Sequence, residues 1–127
     1  MKLSEAMAVS YIAIIGVVFA CTQSSGFTCG RILMPPEGYN SPPPIPVIIQ
    51  EFPFAEIHQR CLELGAPVEQ GRKLWACNRI GVEQPWIIRL PIVDGVNITH
   101  ANHDCLLHHE WGHQNGADPN HIGWRFG

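Results

Sequence analysis

The stretch that decides the reading is Asp104-Cys105-Leu106-Leu107-His108-His109-Glu110-Trp111-Gly112-His113-Gln114-Asn115-Gly116. Its spacing predicts a helix that starts between Thr99 and Asp104, where any of several polar side chains can cap it, and ends near Asn115, where Gly116 permits a left-handed stop. His109 and His113 are four residues apart, so they share one helical face and their ring nitrogens can bind one ion. Glu110 points beside that face and could take a proton from a metal-bound water. His108 is no candidate ligand, because its i+4 neighbour is Gly112. A third ligand is sought in Gln114-Asn115-Gly116-Ala117-Asp118-Pro119-Asn120-His121. His121, eight beyond His113, is preferred, since zinc accepts three imidazoles readily; Asp118 is the alternative, unless it caps the turn.

The pattern His109-Glu110-x-x-His113 resembles the zincin metallopeptidases. More closely, the run from His109 to His121 resembles small exported bacterial proteins with such a helix near the C-terminus. The resemblance implies a Zn2+-dependent hydrolase of peptide bonds, with Glu110 as catalytic base and a peptide or protein as substrate. It also implies an edge strand that holds extended substrate by main-chain hydrogen bonds, a role that falls on Trp86, Ile87, Ile88, Arg89 and Leu90. The metzincin pattern is matched by Gly116, three after the second histidine, but Pro119 stands at its third-ligand place and no Met occurs after Met34. Two further readings compete: a non-catalytic zinc-stabilised binding module, and a structural envelope lipoprotein. Oxyanion helpers would come from His100, His103 or Arg125, and Asp104 or Asn102 could orient a ligand imidazole unless they cap the helix. Trp111 and Trp124 read as packing around that helix.

Upstream of the helix the signals are shorter. Val47-Ile48-Ile49 reads as a strand. Apolar residues at 54, 57, 61 and 64 predict a helix from Phe54 to Leu64, closed by Gly65. Arg72 to Cys77 and Pro85 to Leu90 read as two further strands, with Pro85 and Pro91 bracketing the second and suiting strand ends or an edge. Asp94-Gly95 supplies a turn. The expected fold is α+β: a minimal zincin-like domain over residues 47–127 with a small sheet, one supporting helix and the metal helix.

Lys2 followed by the uncharged stretch Ala6 to Ala20 reads as a signal peptide over residues 1–20, too short to span a bilayer. Val18-Phe19-Ala20-Cys21 resembles a bacterial lipoprotein box, which implies lipidation of Cys21, a membrane anchor and a place in the cell envelope. Residues 21–46, rich in Pro, read either as a tether or as an arm packed on the domain and pinned by Cys29. Cys29, Cys61, Cys77 and Cys105 predict two disulfides in an exported domain, with three possible pairings. A disulfide at Cys105 would brace the metal helix one turn before His109. Eight Lys+Arg against eleven Asp+Glu give a net charge of −3, and the cations are not clustered, so nucleic acid is not the expected partner.

Overall fold

The computed structural model describes residues 29–68, 70–83 and 85–126. The expected signal peptide, Cys21 and the small polar run after it lie outside the described residues. Along the chain come β1 (Leu33–Met34), β2 (Val47–Phe52), α1 (Phe54–Leu64), β3 (Cys77–Arg79), β4 (Trp86–Pro91), α2 (His100–Gln114) and β5 (Arg125–Phe126). Among the described residues the fold is α+β, with two helices and two small sheets. In the larger sheet the order is β2-β4-β3. Strands β2 and β4 run parallel, from Val47 opposite Trp86 to Phe52 opposite Pro91, and β3 pairs antiparallel through Cys77–Arg89, Asn78–Ile88 and Arg79–Ile87. The smaller sheet is the antiparallel pair β1–β5, Leu33 opposite Phe126.

Helix α1 follows its apolar spacing. Ile57 and Cys61 are buried, and with Cys77 they form a cluster flanked by Phe52, Leu64, Ala66 and Leu74. Gly65 takes a φ of 97°, which lets the Ala66 N–H reach the Cys61 carbonyl at 3.1 Å and close the last turn. The second cluster holds Ile88, Leu90, Ile98 and Leu106, so it joins β4 to α2. On the other face of β4, Arg89 donates from Nε to Gln50 Oε1 at 2.8 Å and from a terminal nitrogen to the Arg60 carbonyl at 2.8 Å, tying the strand to α1. The α2 start is firmly set. Thr99 Oγ1 accepts from the Asn102 N–H at 3.1 Å, and Asn102 reaches back to the Thr99 N–H. Asp94 organises the preceding turn by accepting from the backbone N–H groups of Val96, Asn97 and Ile98; these bonds, the one from Ile98 foremost, hold its carboxyl at about 2.

Two expectations about strands are corrected. No strand runs from Arg72 to Cys77; β3 begins at Cys77. The Leu74 N–H donates to His58 Nδ1 at 2.9 Å instead of to a neighbouring strand, and the Cys61–Cys77 disulfide fixes the point where the chain joins the sheet. Strand β4 is central, not an edge. Ile87, Ile88 and Arg89 are paired on both sides, so the main chain of Trp86 to Leu90 has no free row of donors and acceptors for an extended substrate. Burial on both faces explains why Ile87, Ile88 and Leu90 put apolar side chains on each of them.

Residues 29–41 lie along α2. The Cys29–Cys105 disulfide ties their start to the helix, Pro35 is buried, and Asn115 Nδ2 donates to the Tyr39 and Ser41 carbonyls at 2.8 and 2.7 Å. Among the described residues no helix is long and apolar enough to cross a membrane.

Candidate metal centre

His109 and His113 project from the last turns of α2, and His121 comes from the loop beyond it. That loop is shaped by Asp118, whose Oδ2 accepts from the Asn120 and Ile122 N–H groups at 2.9 Å each. Asp118 therefore holds the turn and stands outside the histidine cluster. His121 takes a left-handed φ of 66°, an unusual backbone state for a side chain of this size, worth about 1 kcal/mol or more of strain. The conformation brings its Nε2 to 3.1 Å from His113 Nε2. Two imidazole nitrogens at that separation must share either a proton or a cation. The ligand atoms of His109, His113 and His121 all lie within 4.8 Å of one another.

Each ring is prepared for a cation. His109 Nδ1 lies 2.6 Å from the Leu33 carbonyl, which can only accept, so Nδ1 carries the proton and Nε2 keeps its lone pair. Burial pushes His109 down to about 4, against the Leu33 carbonyl and helped by His121. Burial, with the neighbouring charges of His109 and His121, pushes His113 down to about 4 as well. Burial also lowers His121, with Asp118 opposing. All three are neutral at pH 7, the form that binds metal. Trp124 is the common floor, its ring centroid 4.7, 4.7 and 4.8 Å from those of His109, His113 and His121.

This arrangement corrects the zincin resemblance. The sequence spells His-Glu-x-x-His, but the side chains grouped to hold a cation are the three histidines, without Glu110. The Glu110 carboxyl is buried, 5% exposed, and accepts from Asn78 Nδ2 on β3 at 2.7 Å. Burial raises it to about 7, Asn78 opposing. Glu110 is held by Asn78 across the contact between α2 and β3 and is not among the side chains grouped to hold a cation. With β4 also withdrawn as a substrate strand, the zincin peptidase mechanism does not carry over to this chain.

Three participants had no legible signal. The Leu33 carbonyl is a backbone group 76 residues away from its histidine. Asn78 sits in a short strand whose start was misplaced. Trp124 read as packing, and its contact with all three imidazoles depends on the turn at His121. The expected helpers are elsewhere: Asn102 caps α2, and His103 Nε2 lies 2.8 Å from Glu51 Oε2. His108 stacks against Trp111, centroids 4.8 Å apart.

Gly112 is the point of closest approach. A Cβ there would stand 2.5 Å from Pro35 Cβ and 2.9 Å from Trp124 Cη2. Gly112→Ala is therefore expected to destabilise the protein by about 1–3 kcal/mol in chemical denaturation, although alanine is the better helix former by about 1 kcal/mol. A stabilised variant would show that Pro35 and Trp124 do not clamp this turn.

A cavity of about 770 Å³ opens beside the cluster, with His109, His113, His121, Glu110 and Asn78 in its lining. Comparison of the chain with protein-family profiles, with curated proteins and with solved structures returns no match in any of the three.

Proposed function

We propose that the protein is a small exported module that binds one divalent cation, Zn2+, through His109, His113 and His121, without turnover. The observation that carries the reading is the convergence of three neutral imidazoles from two segments over the Trp124 floor. The donor type suits zinc, which binds imidazole readily and has no d-electron preference for one geometry. The arm belongs to the module, because Leu33 orients one ligand. The two disulfides, Cys29–Cys105 and Cys61–Cys77, support an oxidising compartment and hence export. The net charge of −3 argues against nucleic acid as partner.

Calorimetric titration of metal-free protein with zinc tests this. One equivalent is expected to bind, and Glu110→Gln is expected to bind it with the parent's affinity, because glutamine keeps the acceptor for Asn78. Absence of zinc binding overturns the reading, as does a Glu110→Gln variant that folds but loses the metal.

A further inference from the structure

Closed structural zinc sites take four protein ligands. The cluster here offers three, and the large cavity lies on its side. We propose that this cavity takes a small carboxylic acid with an apolar body, its carboxylate completing the coordination of the cation. The proposal rests on the metal-binding reading and adds the class of ligand.

Size, lining and charge all point the same way. At about 770 Å³ the cavity falls within the range of small-molecule sites, about 300–1,000 Å³. Ala66, Val68, Leu74 and Ile80 give it an apolar wall, and Val68 and Ile80 are 40% and 50% exposed. Lys73 and Arg72 also line it, while Glu110, bonded by Asn78, is the one acidic residue among its described lining residues. With a divalent cation added, the lining is positive at the histidine end, carries Lys73 at the loop and is apolar between. An anion with a hydrocarbon tail satisfies both parts; a neutral or cationic ligand satisfies one or neither. The wall is also held in place beforehand. Leu74 is held by its N–H on His58, and Ala76 by the adjacent Cys61–Cys77 disulfide. A preformed wall reduces the ordering cost of binding.

The test uses the full-length exported form loaded with Co2+, whose visible bands report the coordination sphere, and hexanoate as probe. Added hexanoate is expected to change the bands saturably, and acetate to require at least about a tenfold higher concentration, because it lacks the buried methylenes. Hexanamide is expected to leave them unchanged. Val68→Asp is expected to weaken hexanoate by about tenfold or more while the ligand-free spectrum stays as in the parent. Cobalt bands that ignore hexanoate overturn the cavity assignment and leave the metal site standing. Equal responses to acetate and hexanoate also overturn it, since the wall then contributes nothing. Failure to bind Co2+ at all overturns both readings together.

Discussion

His113→Ala is expected to lower zinc affinity by at least about a hundredfold, measured by competition with a chromogenic chelator, whereas His108→Ala leaves it unchanged. The two residues lie on the same helix, five positions apart, and composition does not distinguish them. Geometry does. His113 Nε2 faces His121 Nε2 at 3.1 Å, while His108 packs at a tilt on Trp111 and is not among the grouped histidines. Removing His113 leaves two imidazoles from different segments, which do not define a site. The same experiment has a stability readout. Zinc that binds only the folded protein contributes about 2.7 kcal/mol at a hundredfold excess over its Kd, which for a domain of this size raises Tm by about 10 °C or more. The parent and His108→Ala should show that rise, and His113→Ala should not. Equal losses in both variants would mean that the cation is held by histidine density along α2 and not by the three converging rings.

Much of this site was legible because the signals were local. The i, i+4 pair on α2 and the stop after Asn115 depend on residues within a turn or two of each other, whereas the sequence narrows the cap only to Thr99–Asp104 and the structure settles it at Thr99. Helix α1 is similarly legible: positions 54, 57, 61 and 64 share a face, and Gly65 ends it with the φ that only glycine adopts freely. What was not legible depends on distant partners. Proline at both ends of β4 suits an edge strand, yet the strand is central, because its Pro91 falls at the last paired position beside Phe52. Glu110 occupies the place of a catalytic base in sequence. Its role changes because β3 carries Asn78 under the helix, and no pattern within α2 encodes that neighbour. The same reasoning explains the arm. A proline-rich run reads as tether or as packed segment until Cys105 is known to pair with Cys29 and not with Cys61 or Cys77.

That disulfide carries the second large effect. Replacing Cys29 and Cys105 together by serine is expected to destabilise the protein by about 4–5 kcal/mol, since the bridge closes a loop of 76 residues in the unfolded chain. The equivalent change at Cys61 and Cys77, which closes 16, is expected to cost about 3 kcal/mol. Urea denaturation of the two double variants beside the parent measures both. The larger loss has a further consequence at the metal. Cys29 is four residues before Leu33, whose carbonyl fixes the tautomer of His109, and Cys105 is one turn before that histidine on α2. Loosening the arm releases His109 Nδ1 from its acceptor, so zinc affinity should fall by about 10–100-fold in the Cys29/Cys105 variant under conditions where it is still folded. The Cys61/Cys77 variant, whose bridge joins α1 to β3, should keep the affinity of the parent. If both variants lose stability but neither loses zinc, the Leu33 contact does not position the ligand, and the arm serves only to stabilise the fold.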